Sequence, residues 1–310
     1  MTRRHFKRID LPLSPMLLCP VVTLAEVNLW VLGGTGLVAG LLGSTLGVGG
    51  GVFIVPMLTL ALHLPIHIAI GSSLVAIVAT SCTAAGIYTK NRLTNVKLGL
   101  LLETATTPGA ILGAFIVTLL ASSALSALFG VILIYVAYTM ITRQSVGAED
   151  DPSQHSPAGH DNASTDPSNR LASSYYDQNL GRQVTYKVSH VPQGLGVGFL
   201  AGGLSSLLGI GGGIVQVPMM NLVMGLPMKP TIATSSFMIA ITATVGALIH
   251  YYHGNVYPTM VAPLIIGVVI GARLGTELAQ RARGILLRRV FGVFLSITAV
   301  LMFCRAASII

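Results

Sequence analysis

Charged residues are scarce in this chain, and where they are missing indicates the class of protein. Only 9% of the 310 residues are Asp, Glu, Lys or Arg, whereas a soluble domain has roughly 25%. Residues 28–89 contain none, although roughly 20 apolar residues already span a bilayer. Such a chain cannot cover itself with polar surface. We therefore predict an all-α polytopic integral membrane protein, with the lipid bilayer as its surroundings.

Motifs for metal binding, disulfides and hydrolysis are also missing. Cys19, Cys82 and Cys304 are far apart and form no CxxC pair, which argues against a disulfide framework or zinc site. We expect Cys82 to be a small buried side chain. There is no HExxH or GxSxG motif, and the apolar segments contain no Asp. We expect no enzymatic activity, no cofactor and no metal, so an intramembrane enzyme is only a remote alternative.

The net charge of +8 does not indicate nucleic-acid binding, because the basic residues cluster beside apolar segments. This placement is typical of charges that set membrane topology. We expect no nucleic-acid partner. The clusters are Arg3, Arg4, Lys7 and Arg8; Lys90, Arg92 and Lys97; and Arg281, Arg283, Arg288 and Arg289.

Ten apolar segments can be drawn, two of which are short. We predict eight to ten membrane segments, with the short ones, at about 50–64 and 212–226, forming broken or re-entrant helices. The others lie at about 28–46, 67–89, 98–120, 123–142, 191–208, 231–252, 258–280 and 286–306. We divide the chain into a basic tail and entry segment (1–27), a first membrane repeat (28–142), a flexible polar linker (143–190) and a second membrane repeat (191–310).

The two membrane repeats are similar in sequence. When Gly36 is placed on Gly198, 13 of the next 23 positions are identical. Further on, we place Gly71 opposite Thr234, after one inserted residue, and Gly109 opposite Gly267. Tandem halves are common in secondary transporters, whose substrate site lies between the repeats. Five crossings per half would make the repeats inverted, which we favour. Four crossings with a re-entrant segment would make them parallel.

The matching decapeptides GVGGGVFIVP (47–56) and GIGGGIVQVP (209–218) interrupt apolar segments. Glycine permits positive φ, and successive backbone amides in such a turn can bind an anion. Broken helices persist in a bilayer only when they are buried or line a cavity. Close helix packing is the alternative, because small residues let membrane helices approach. The candidate substrate-binding glycines are Gly47, Gly49, Gly50, Gly51, Gly209, Gly211, Gly212 and Gly213.

Polar side chains near these motifs are further candidates. One group can donate hydrogen bonds to an anion, although hydroxyls can instead be helix caps and a buried amide can bridge helices. It comprises Ser72, Ser73, Gln216, Thr234, Ser235 and Ser236. A second group is ionisable at membrane depth and could balance charge or relay a proton. It comprises Arg273, Glu277 and Glu103.

The doubled glycine–proline motif, the two hydroxyl clusters and the duplicated frame resemble the TauE/SafE family of sulfite exporters (TSUP permeases). The resemblance spans about 28–306. It implies a multi-pass permease of the cell (plasma) membrane that transports sulfite, thiosulfate or organosulfonates. The glycine–proline motifs of this family correspond to the two decapeptides of this sequence, 47–56 and 209–218. We expect a small anionic substrate and a coupling ion, H⁺ or Na⁺. A passive anion channel is the alternative, because glycine-lined filters also use backbone groups.

Overall fold

The computed structural model describes residues 29–62, 64–142, 171–177, 182–281 and 299–301. The basic tail, most of the polar linker and most of the last predicted segment lie outside these ranges. The described helices are α1 (Leu29–Leu46), α2 (Gly51–Pro56), α3 (Ile66–Lys90), α4 (Val96–Leu119), α5 (Ser122–Thr142), α6 (Val191–Leu208), α7 (Gly213–Pro218), α8 (Met228–Tyr252) and α9 (Pro258–Arg281). The two described strands are β1 (Ser173–Asp177) and β2 (Arg182–Tyr186).

Six helices are long and apolar enough to cross a membrane: α1, α3, α4, α6, α8 and Pro258–Ala279 of α9. Helices suit lipid because they satisfy their own backbone hydrogen bonds. The short helices α2 and α7 each continue into a π-helical turn, Met57–Ala61 and Met219–Val223. A proline, Pro56 or Pro218, stands at each junction and removes one backbone donor. The prediction of an all-α polytopic membrane fold is confirmed.

Three helix pairs form the body of the molecule: α1 packs on α9, α6 on α4, and α3 on α8. The first two pairs approach through glycines that lie against the partner's backbone carbonyls, as in other close-packed membrane helices. The residue numbers rise together along both pairs, so the paired helices are parallel. The contacts are Gly267–Gly33, Gly271–Leu37 and Gly275–Leu41 for α9 with α1, and Gly109–Phe199 and Gly113–Gly203 for α4 with α6.

These contacts correct our alignment of the two repeats. Gly109 contacts Phe199, and the matching contact in the other half is between Gly271 and Leu37. Gly271, not Gly267, is therefore the counterpart of Gly109. The constant separation is 162 residues, the same as between Gly47 and Gly209. The insertion that we placed before Thr234 is also wrong, because α3 and α8 have equal lengths and begin 162 residues apart.

Part of the predicted flexible linker is an ordered hairpin. β1 and β2 pair antiparallel, with Tyr175 opposite Val184. Tyr175 and Tyr186 are buried in a cluster with Leu93 and Leu98, and the Asn95 side chain donates to the carbonyl oxygen of Leu171 (3.0 Å). Burial raises the pKa of Tyr186, against the opposing effect of hydrogen bonds with neighbouring side chains. The linker composition concealed this hairpin, because its few aromatic residues pack on the helical body.

Candidate anion site at the crossing of two glycine loops

The two decapeptides break their helices at matching positions. α1 ends at Leu46 and α2 begins at Gly51, and the second half repeats this break between α6 and α7. We call residues 47–50 the first glycine loop and residues 209–212 the second glycine loop. Each contains three glycines at positive φ, between 67° and 91°, a region in which other residues are strained. They are Gly47, Gly49 and Gly50, and Gly209, Gly211 and Gly212.

The two glycine loops contact each other at the centre of the molecule. The Ser73 hydroxyl of α3 donates to the Gly209 carbonyl oxygen (2.8 Å). Reciprocally, the Ser235 hydroxyl of α8 donates to the Gly47 carbonyl oxygen (2.9 Å). Residues 73 and 235 are again 162 apart, so each half holds the loop of the other through an equivalent serine.

Glycine is required here for packing as well as for backbone conformation. Gly51 lies directly against the Gly209 carbonyl oxygen. A Cβ at Gly213 would lie 2.6 Å from the Cα of Val48, and one at Gly50 would lie 2.5 Å from the Ala39 carbonyl oxygen. The loops therefore cross with no space for side chains. Close packing, one of the two readings of the motif, is therefore observed at these positions, and ligand binding by the loop amides stays a prediction.

The hydroxyl clusters separate into structural and free groups. None caps a helix, because the N-cap residues of α3 and α8 are Pro65 and Pro227. Ser73 and Ser235 hold the opposite loops, as described above. Thr234 accepts from the backbone N–H of Asn95 (3.0 Å), and Ser236 donates to the Ile232 carbonyl (2.9 Å). The Ser72 hydroxyl, which is buried, has no partner among the described residues.

Gln216 is the most unusual polar residue at the second glycine loop. Its side chain is completely buried, and neither amide atom has a hydrogen-bond partner within the described ranges. Ser205, also buried and unpartnered, lies on the other side of Gly212, whose added Cβ would be 3.2 Å from the Ser205 Cβ and 3.4 Å from Gln216 Nε2. Ser205 was not among the residues predicted from the sequence. Its position one turn before the second glycine loop is the only signal that could have indicated it.

The first glycine loop lacks this polar pair. The residues 162 positions before Ser205 and Gln216 are Gly43 and Ile54. Gly43 packs against the backbone of Gly50, and Ile54 is fully buried. The crossing is thus symmetric in its backbone contacts and asymmetric in its polar side chains. Buried polar groups normally have partners. The second loop has the unpartnered Gln216 amide and Ser205 hydroxyl, whereas the first loop has only the unpartnered Ser81 hydroxyl among the described residues, 3.6 Å from a Cβ built at Gly49.

Glu103 lies in the interior of the protein. It is only 6% exposed. Oε1 accepts hydrogen bonds from Thr107 (3.1 Å) and, across the two halves, from Thr242 of α8 (2.6 Å). Oε2 and the hydroxyl of nearby Thr106 have no partner in the described parts of the chain. None of these three threonines was predicted from the sequence.

The remaining candidates lie away from the crossing. Arg273 and Glu277 are exposed on α9, and no ion pair joins them in the region that the structure covers. The structure does not bring them to the glycine loops.

Cys82, which we expected to be buried, is exposed on α3, so that expectation is wrong. It lies next to the buried Ser81, on the opposite side of the helix from the core.

The fold and the crossing define a class: a multi-pass membrane protein with two broken helices that meet at its centre. The family model for the sulfite exporter TauE/SafE matches residues 32–302. The chain therefore belongs to the TauE/SafE sulfite exporter family. It is a membrane transporter of the permease type, located in the cell membrane, as the sequence indicated.

Proteins similar to this chain occur in bacteria and archaea. The probable membrane transporter protein YunE of Bacillus subtilis is 29% identical over 79% of this chain and 86% of its own length. A probable membrane transporter protein of Xylella fastidiosa is 27% identical, covering 89% and 94%. The probable membrane transporter protein MJ0441 of Methanocaldococcus jannaschii is 24% identical, covering 83% and 90%. No solved structure matches the chain.

Proposed function

We propose that the protein is a secondary permease for a small anion, sulfite or a related sulfur oxyanion or organosulfonate. The observation that carries the proposal is the unpartnered Gln216 amide beside the crossing of the two glycine loops. A fully ionised sulfur oxyanion can accept hydrogen bonds but cannot donate them, and the crossing offers hydrogen-bond donors. They are Gln216 Nε2 and the Ser205 hydroxyl, which lie beside Gly212, and the first two amides of α2 and α7, which precede the first hydrogen-bonded turn. The buried Ser72 hydroxyl of α3 is a further candidate donor.

Backbone amides suit this substrate because they attract an anion without a buried cation. Helix starts also carry a partial positive charge, and membrane transporters direct broken helices at substrates in this way. The amides of the glycine loops belong to both halves, since Gly51 and Gly213 each lie against the opposite loop. An anion at the crossing would therefore bind both halves at once.

The proposal includes an inverted relation between the halves, which helix directions support. α1 runs parallel to α9, and α6 runs parallel to α4. Leu74, early in α3, contacts Gly246, late in α8, as expected for an antiparallel pair. Because α3–α4 and α8–α9 are joined by short turns, α1 and α6 then point in opposite directions. Each half would have five crossings, with α2 or α7 and the following π-helical turn as the second.

Anion flux into liposomes tests the proposal. Purified protein is reconstituted, and uptake of radiolabelled sulfite, thiosulfate and a sulfonate is measured. Gln216→Leu removes the amide at similar size and should weaken anion binding by about tenfold to hundredfold, the effect of losing one hydrogen bond to a charged group. Ile54→Leu is the matched control, because Ile54 is the buried counterpart in the first half; it should retain flux.

Two results would count against the proposal. Equal flux with and without protein for every anion would exclude the permease. Normal flux in Gln216→Leu would exclude the second glycine loop as the site. Saturable uptake accelerated by unlabelled anion on the opposite side indicates a carrier, whereas unsaturating single-channel currents indicate a passive channel.

A further inference from the structure

Glu103 is a buried carboxyl group with an incomplete set of partners. Two hydroxyls donate to Oε1, from Thr107 and Thr242, and Oε2 has none among the residues described. An ionised carboxylate accepts hydrogen bonds at both oxygens, whereas a protonated one has a donor of its own. The Thr106 hydroxyl, one turn further along α4, lies near enough to interact with the carboxyl group, although neither it nor Oε2 has a hydrogen bond of normal geometry among the described residues. A proton on Oε2, donated to Thr106, would give both oxygens a partner.

Among the described residues of α4 and of the helices that pack on it, no basic side chain is positioned to neutralise this carboxyl. Helix α6, which packs on α4, contains no charged or titratable residue. On α8, Lys229 lies near the start of the helix, and His250 lies eight residues beyond Thr242, about 12 Å along the helix axis. Lys97, the basic residue of α4 itself, is exposed near its first turn. A buried carboxylate without a paired cation is unfavourable, and binding a proton removes the charge.

The site exists in one half only. The positions 162 residues after Glu103 and Thr106 are Ile265 and Val268 on α9, and Val268 is fully buried. Thr242, by contrast, has a counterpart in Thr80 of α3, whose hydroxyl bonds to its own helix at Ala76 (2.9 Å). The duplicated fold therefore does not require a carboxyl group at this depth.

We propose that Glu103 binds the proton that couples anion movement to a pH gradient; this inference rests on the proposed function. Oε2 gains a proton on one side of the membrane, which turns Glu103 into a carboxylic acid. When the site opens to the other side, Glu103 releases the proton and becomes a carboxylate again. Thr242 makes the site sensitive to conformation, because it joins α4 of the first half to α8 of the second. A hydroxyl donates more strongly to a carboxylate than to a neutral acid. Loss of the proton therefore strengthens the contact between the halves.

A proton fits the site better than Na⁺. Two of the three surrounding hydroxyls already donate to one carboxylate oxygen, which leaves Oε2 and Thr106 as unengaged oxygens. Metal cations such as Ca²⁺ and Mg²⁺ take six or more oxygen ligands, and two oxygens provide little for any metal cation. One proton needs a single oxygen.

Two measurements on the intact protein test this inference. The first is the infrared difference spectrum of wild type minus Glu103→Gln at neutral pH, which needs no substrate. We expect the C=O stretching band of a protonated carboxylic acid, and its absence overturns the inference.

The second measurement is sulfite and thiosulfate uptake into liposomes with and without an imposed pH gradient. One pH unit should drive about tenfold accumulation for one proton per anion, and Glu103→Gln should lose this accumulation while retaining anion exchange.

Comparison variants and ions make the outcome specific. Glu277→Gln makes the same change at the exposed glutamate of α9 and should keep pH-driven accumulation; loss there but not in Glu103→Gln overturns the assignment. Accumulation driven by a Na⁺ gradient, without any effect of pH, also overturns it. If the wild type transports none of the anions tested, the proposed function fails. If transport is intact but insensitive to pH, only the coupling site fails.

Discussion

The reciprocal serine bonds at the crossing predict different effects for two adjacent serines of α3. Ser73 donates to the Gly209 carbonyl oxygen (2.8 Å), whereas Ser72 is equally buried and has no partner among the described residues. Ser73→Ala removes a bond between the halves. Hydrogen bonds between helices in membrane proteins contribute about 0.6 kcal/mol on average and up to about 1.7. We expect a loss of about 1 kcal/mol, a shift of roughly fivefold in the unfolding equilibrium.

Ser72→Ala is the control for size and burial. It removes a hydroxyl that gains no hydrogen bond on folding, so the free energy of unfolding should change by less than about 0.5 kcal/mol or increase slightly. If this hydroxyl instead serves the anion, the same variant should lower sulfite uptake at normal abundance. The pair thus separates the contribution to folding from the contribution to binding.

Equilibrium unfolding in mixed micelles of sodium dodecyl sulfate and mild detergent measures the difference. The single tryptophan, Trp30 in α1, provides the fluorescence signal, and circular dichroism provides the helix content. Ser235→Ala should match Ser73→Ala, because its bond to Gly47 has nearly the same length (2.9 Å). A loss in Ser72→Ala as large as that in Ser73→Ala would refute the reasoning.

Three further predictions concern other parts of the molecule. Gly50→Ala should lower membrane abundance and flux together, because Gly50 has a φ of 86° and lies against the backbone of Ala39. Gly86→Ala is the control: Gly86 has open space around it, so this variant should be neutral or stabilising by up to about 1 kcal/mol. Immunoblotting of membranes measures the abundance of both variants. Tyr186→Ser should release the hairpin and increase proteolytic cleavage within residues 171–190. Thr242→Val removes one donor to Glu103 and should weaken the pH dependence of uptake without abolishing exchange.

The sequence predicted the helices well because lipid imposes a simple rule. A long uncharged run must be helical if it crosses the bilayer. The predicted segments at about 28–46 and 67–89 correspond to α1 and α3 within a residue. The breaks were also predictable, since Gly49 and Gly50 precede a helix that Pro56 ends. Local composition was sufficient for these features.

The register between the halves could not be read from the sequence in the same way. Helices rich in Gly, Ala and Leu align almost as well after a slip of one turn. Our match of Gly109 with Gly267 was such a slip. The correct counterpart, Gly271, is fixed by backbone contact with Leu37. The partner of Glu103 was equally hidden, because Thr242 is 139 residues away along the chain.

The asymmetry of the crossing constrains how the two halves can share the work. The bonds of Ser73 and Ser235 are equivalent, so they stabilise both loops alike and cannot favour one side of the membrane. Polar groups that could bind an anion or a proton, Gln216 and Glu103, stand where the other half has Ile54 and Ile265. A transporter that alternates between inverted halves needs both properties. In the proposed permease, the symmetric backbone would keep the two orientations similar in free energy, and the unmatched side chains would let a ligand or a proton decide between them.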